Sequence, residues 1–143
     1  MAVAARDIMT GGVQCARVDE TVTEAARTMR DLQVGSLPIC GADDRLQGMI
    51  TDRDIVLRCV AEGLDTTQAE VQDHAGAEVV TIGADDSVEE MLRTMREARV
   101  RRLPVIDGHD LVGMISQADV ARNLPDELVG ALVETISEFP SSG

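Results

Sequence analysis

The chain has 143 residues, 26 acidic and 13 basic, for a net charge of −13. Every base is arginine, and so acidic a surface repels phosphate backbones and anionic bilayers, which disfavours duplex nucleic acid and membrane surfaces as partners. With no Trp or Tyr and a single Phe, the chain also lacks the aromatic platforms that most single-strand binders use. At 44% hydrophobic and 27% charged residues the balance is that of a globular protein. No apolar run reaches the roughly 18 residues of a membrane span, and Met1 to Arg6 lack the features of a signal peptide, so a cytoplasmic location is expected.

A first short strand is expected over 13–18. Thr21 and Glu24 then fit a capping box, in which the hydroxyl takes a free backbone N–H and the glutamate reaches back. Val22, Ala25, Ala26 and Met29 behind them follow the spacing of one helix face. The run 37–40 reads as a second strand, with Pro38 at a start or edge because it lacks a ladder donor. A Gly/Asp-rich turn over 41–45 leads to a third strand at 46–51 and a second helix from about Asp52. Gly63 is a natural helix stop, and 63–72 read as a linker.

The pattern then repeats. A shift of 66 aligns 7–40 with 73–106 at twelve identical positions, among them Asp19/Asp85, Met29/Met95, Leu37/Leu103 and Pro38/Pro104. A shift of 65 aligns 46–55 with 111–120 at five positions of ten, among them Gly48/Gly113 and Asp54/Asp119. The second copy has its strand at 79–82, a capping box at Ser87 and Glu90, a helix face of Val88, Met91, Leu92 and Met95, strands at 103–106 and 111–116, and a helix from Gln117. The fold class is therefore mixed α/β, a tandem β-α-β-β-α repeat whose halves each need a covering layer. The division expected is repeat 1 over 5–62, the linker, repeat 2 over 73–123, and a C-terminal helix and tail over 124–143. In that tail Pro125 precedes Leu128, Val129, Leu132, Val133 and Ile136 at helical spacing, a face for the chain's own core or for a dimer.

This repeat resembles a pair of CBS domains, the module named after cystathionine β-synthase. The residues carrying the resemblance are Arg6-Asp-Ile-Met9, Val34-Gly-Ser-Leu-Pro38 and Gly48-Met-Ile-Thr-Asp-Arg-Asp-Ile55, with Val100-Arg-Arg-Leu-Pro-Val105 and Gly113-Met-Ile-Ser-Gln-Ala-Asp-Val120 in the second copy. It covers roughly residues 5–122. More narrowly, with Cys15, Cys40 and the run Leu37-Pro-Ile-Cys-Gly41, the chain is similar to small stand-alone actinobacterial proteins of the hypoxic-response type. The resemblance implies one module around a pseudo-two-fold axis, a disc-shaped homodimer, and clefts between copies that take AMP, ADP or ATP and less often S-adenosylmethionine. It also implies regulation. With no effector domain in this chain, the output would pass to a separate effector protein or to the dimer itself.

Thr51-x-x-Asp54 and Ser116-x-x-Asp119 hold the sharpest chemistry: an aspartate can accept from two ribose hydroxyls, while the hydroxyl residue and free N–H groups meet a phosphate. Both pairs are equally good helix caps, and capping alone would leave the same pattern. The resemblance adds the backbone around Pro38 and Pro104 as an adenine wall, with the base between aliphatic side chains such as Val13, Ile39, Val79 and Val105. Arg53, Arg101 and Arg102 are candidate phosphate partners or else solvated partners of surface acids. Cys15 and Cys40, on strands that neighbour in a β-α-β unit, form either a disulfide or two small buried hydrophobes. Cys59 reads as core. His74 and His109 read as surface residues and fall at no zinc-site spacing, and with no CxxC no structural metal is expected. No nucleophile paired with a base and no phosphate-cradling Gly-rich loop is evident, so catalysis is not expected.

Overall fold

The computed structural model describes residues 3–76, 79–127 and 129–131. Among the described residues the chain runs α1 (Ala5–Ile8), β1 (Ala16–Arg17), α2 (Val22–Leu32), β2 (Ser36–Cys40), β3 (Leu46–Thr51), α3 (Asp52–Ile55), a π-helical turn (Val56–Val60), α4 (Val71–His74), β4 (Ile82–Gly83), α5 (Val88–Ala98), β5 (Arg102–Asp107), β6 (Asp110–Ser116) and α6 (Gln117–Asn123). The strands form two three-stranded sheets, β1-β2-β3 and β4-β5-β6. In each, the first pair is parallel and the second antiparallel. Both antiparallel ladders slip at equivalent places, between Ile39 and Cys40 and between Val105 and Ile106. The duplication seen in sequence is thus a duplication of topology and of register.

Helices α2 and α5 form for the reason the spacing implies. Val22, Ala25 and Met29 are buried from α2, and Val88, Met91, Leu92 and Met95 from α5. Thr21 Oγ1 accepts from the Glu24 N–H, and Ser87 Oγ from the Glu90 N–H, both at 3.2 Å. The reciprocal half of each expected capping box does not form among the described hydrogen bonds. An incoming segment meets each helix start instead, in antiparallel bridges of Thr21 with Glu70 and of Ser87 with Ala4. Both helices end on a left-handed residue, Gln33 and Arg99.

Two further expectations are revised. The first strand of each copy was expected over 13–18 and 79–82, yet only Ala16–Arg17 and Ile82–Gly83 pair. The preceding residues are where the chain crosses from one compact unit to the other, after Val13 and after Val79. The second helix of repeat 1 is not uniform either: past Ile55 it opens into a π-helical turn, in which the Ala61 N–H donates to the Val56 carbonyl. In the tail, Leu128, Leu132, Val133 and Ile136 lie outside the described residues. Val129 packs on the core of its own unit.

The compact units cut across the sequence copies. Among the described residues, one unit comprises those of 3–13 with those of 80–131, the other those of 14–79. In the first, Ala5 and Ile8 of α1 are buried in the core built by Ile82, Met91, Met95, Leu103, Val105, Ile115 and Val120. The Ala5 N–H donates to the Asp86 carbonyl and Arg6 N–H to Ala84, while Thr10 and Met114 exchange backbone bonds at 2.9 and 3.0 Å. In the second, Val71 of α4 joins the core of Val22, Met29, Leu37, Ile39 and Ile50, and its N–H donates to the Glu20 carbonyl. Each sheet is therefore completed by the opening segment of the other copy.

That exchange gives Gly48 and Gly113, aligned in sequence, different jobs. A Cβ at Gly113 would fall 2.5 Å from Met9 Sδ and 2.9 Å from the Thr10 carbonyl oxygen. A Cβ at Gly48 would meet Ala75 at an ordinary 3.9 Å. Gly113→Ala is expected to lower unfolding free energy by about 1–3 kcal/mol by overpacking against the backbone of the incoming segment. Gly48→Ala should stay within about 0.5 kcal/mol of the parent. Denaturant unfolding of both variants checks this, and equal losses would disprove the role assigned to Met9 and Thr10.

Candidate functional site

Each third strand turns directly into a helix, and the turn is closed by the same device twice. Thr51 ends β3 and caps α3: its Oγ1 accepts from the Asp54 N–H, and Asp54 Oδ2 accepts from the Thr51 N–H, both at 3.0 Å. Ser116 ends β6 and caps α6: its Oγ accepts from the Asp119 N–H at 3.2 Å, and Asp119 Oδ2 accepts from the Ser116 N–H at 2.9 Å. Both carboxylates are buried, Asp54 to 8% and Asp119 to 3% exposure. A buried charge is expensive unless hydrogen bonds replace its water, so these contacts are what permits an aspartate at either turn. Capping is thus established at both turns, and it engages one oxygen of each carboxylate.

The second oxygen separates the copies. Asp119 Oδ1 accepts from Thr10 Oγ1 at 3.0 Å and pairs with Arg122, while Ser116 Oγ donates to Oδ2 at 3.1 Å. Asp54 Oδ1 receives no hydrogen bond among the described residues; Arg58 Nε lies 3.6 Å from it, an ion pair too long for a bond. Across the ladder from Thr51 stands Ser36, 6% exposed, whose Oγ is buried with no partner. Directly opposed residues project to the same sheet face, so Ser36 and Thr51 share one. Sequence reasoning passed over Ser36. The signal was a lone hydroxyl in an otherwise apolar buried strand, Leu37-Pro-Ile-Cys40.

The remaining candidates are placed as follows. Pro38 and Pro104 are buried in mid-ladder opposite Met49 and Met114, and Ile39 and Val105 are buried beside them. Val79 falls in the unit that carries Asp54, its side chain about 4 Å from a Cβ built on Gly48, whereas Val13 falls in the unit that carries Asp119. Arg53 and Arg101 are exposed and Arg102 is half-buried. Cys15 and Cys40 lie with their sulfur atoms in bonding contact and Cα atoms 5.8 Å apart. Cys59 is buried and free; burial, and then the charge of Asp54, push its thiol up, which keeps it protonated and unreactive. Among the described residues no three His, Cys, Asp or Glu side chains cluster as metal ligands, and no helix is long and apolar enough to cross a membrane.

The CBS domain family model matches residues 5–60 and again 71–126, the two copies in order. The chain belongs to the CBS-domain family. This CBS-domain pair is 48% identical over 132 residues to Hypoxic response protein 1 of Mycobacterium tuberculosis, with 92% of each chain covered. It is 35% identical over 133 residues to the CBS domain-containing protein YhcV of Bacillus subtilis, covering 92% of this chain and 94% of that one. Among solved structures it superposes on Hypoxic Response Protein I, described with two coordinated zinc ions, at a TM-score of 0.80 and 50% identity, covering 86% of this chain and all of that one.

The segment that carries Thr10 is also held by charge. Arg6 Nε donates to Asp85 Oδ1 at 2.9 Å and its Nη2 to Asp107 Oδ2 at 3.2 Å. The hydrogen bond from Arg6, and then its charge, hold the Asp85 carboxyl below the usual range, and Arg6 is raised in turn. A depressed carboxyl stabilises the fold above its unfolded pKa of about 4 and loses that contribution as pH falls through the folded value. The stability gap between the parent and Arg6→Gln should therefore be constant from neutral pH to about pH 4 and narrow below it. Chemical denaturation across that range checks this; a gap unchanged at about pH 2 would show that the Arg6–Asp85 contact contributes nothing.

Proposed function

We propose that this CBS-domain pair is a non-enzymatic sensor that takes an adenine nucleotide, AMP, ADP or ATP, at the strand-to-helix turn carrying Asp54, with S-adenosylmethionine as the weaker alternative. The observation that supports it most is a buried carboxylate with one oxygen free of hydrogen bonds, next to a hydroxyl residue on the same sheet face. A vicinal diol such as ribose supplies two donors for that oxygen. Thr51 and Arg53 would meet a phosphate, and Pro38, Ile39 and Val79 supply aliphatic surface for a base. Arg101 and Arg102, with Ser116, Asp119, Pro104 and Val13, form the corresponding set of the other repeat. Binding would act by preferring one arrangement of the chain over another, because a ligand shifts an equilibrium only by its differential affinity. The output would pass to a separate effector protein in the cytoplasm.

Calorimetric titration with AMP, ADP, ATP and S-adenosylmethionine tests this reading. Saturable binding is expected for at least one, weakened about tenfold or more by Asp54→Asn, since a hydrogen bond to a charged group is worth about 1.5–3 kcal/mol. Absence of heat with all four ends it.

A second reading rests on a different observation, the sulfur contact of Cys15 with Cys40 together with the likeness to a protein named for the hypoxic response. On it the chain is a stress-response homodimer whose disulfide reports redox state. The exposed apolar residues Val56, Leu57, Val60 and Leu64 of repeat 1 support a dimer, because such a run is normally covered. Peptide mapping of air-exposed protein should recover Cys15 linked to Cys40 and Cys59 free. The separation of 25 residues makes the link worth about 3–4 kcal/mol on a chain-entropy basis, so reductant should lower the melting temperature. Light scattering should return twice 15.3 kDa. Three free thiols, or a mass of one chain, would count against the redox or the dimeric part respectively.

A further inference from the structure

We infer that the two turns are not equivalent binding sites: the turn of repeat 2 is latched by its own chain through Thr10 and Arg122, leaving Asp54 as the one carboxylate open to a ligand diol. The inference deepens the nucleotide reading and rests on it.

A carboxylate offers about four acceptor positions. At Asp119 four donors are present: the Ser116 N–H and Oγ–H on Oδ2, and Thr10 Oγ1 and Arg122 on Oδ1. At Asp54, among the described residues, one is, the Thr51 N–H, with Arg58 Nε 3.6 Å from Oδ1 as an ion pair too long for a hydrogen bond. The difference follows from substitutions between the copies. Thr10 aligns with Gly76, which has no side chain to donate, and Arg122 aligns with Leu57, which has none that can. The exchanged N-terminal segment brings Thr10 to Asp119 because its backbone is bridged to Met114, and Met9 lies over Gly113. Among the described residues no equivalent hydroxyl reaches Asp54.

The opposing strands differ in the same direction. Ser36, paired with Thr51, is an orphaned buried hydroxyl, a costly state that a bound hydroxyl would relieve. Its counterpart Arg102, paired with Ser116, is half-buried and carries no such vacancy. Two independent features, a free carboxylate oxygen and an unpartnered hydroxyl, thus coincide at one turn and are both missing from the other. A sugar diol arriving at Asp119 would first have to displace Thr10 and Arg122.

Calorimetry on the full chain with AMP, ADP, ATP and S-adenosylmethionine tests this. The parent should bind one equivalent, removed by Asp54→Asn. The double variant Thr10→Val/Arg122→Ala should gain a second equivalent, tighter than any residual binding at that turn in the parent by about tenfold or more, and adding Asp119→Asn should remove it again. Thermal melts of each variant report that it folds. Two equivalents in the parent, or a folded double variant that still binds only one, overturns the latch and leaves nucleotide binding standing. No binding by parent or double variant overturns both. Binding by the double variant alone supports the latch and transfers the ligand to Asp119.

Discussion

An ionised aspartate can be buried only where the protein itself replaces the water it gives up. Both repeats face that constraint at the same place, the step from third strand to second helix, and both meet part of it by reciprocal capping with the residue three positions earlier. The arrangement fixes the carboxylate rigidly against the end of the sheet. It also leaves up to three acceptor positions to be filled by something else. What fills them is where the duplicated halves diverge, and that divergence carries whatever functional asymmetry the molecule has.

The asymmetry has its origin in how the units are completed. Neither three-stranded sheet is closed by its own copy's opening residues. Helix α1 is buried with the second copy's sheet, and α4 with the first. Such an exchange makes each unit depend on sequence from the other copy, so a change in one opening segment is felt at the far copy's turn. Met9 against Gly113, where Ala75 stands against Gly48, shows how a single position has drifted: the tighter lid lies over β6. Thr10, one residue on, then reaches a carboxylate that Gly76 could not have reached.

Much of this was legible in the residues. The second and third strands, the amphipathic faces of α2 and α5, and the hydroxyl–aspartate turns all rest on local patterns, and local patterns survive in a single sequence. The exchange did not show, because alignment of 7–40 with 73–106 reports that the segments are copies but not which sheet each one covers; that depends on non-local packing. The capping boxes at Thr21 and Ser87 formed only in their hydroxyl half, and the segment that bridges each helix start comes from the other copy. The π-helical turn left no mark either, since the apolar spacing of Ile55 and Cys59 fits an α-helix equally well. Ser36 was hidden by its neighbours, a polar residue in a run whose apolar character dominates.

Charge bears on what an open turn could select. With a net charge of −13, the chain as a whole opposes a polyphosphate, and the arginine available at the Asp54 turn, Arg53, is exposed and therefore screened. The groups with most leverage are those in the least solvated surroundings, where a low dielectric strengthens each hydrogen bond: the open oxygen of the largely buried Asp54 and the buried Ser36 Oγ. Asp54 suits hydroxyl groups rather than phosphate oxygens, because an ionised carboxylate can only accept, while the Ser36 hydroxyl can both donate and accept. On the proposed reading, recognition is therefore weighted toward the sugar, and the number of phosphates alters affinity through long-range repulsion more than through contact. On that reading, repeats that differ in the side chains reaching one carboxylate, Thr10 and Arg122 at Asp119, keep one turn responsive and commit the other to holding the fold together.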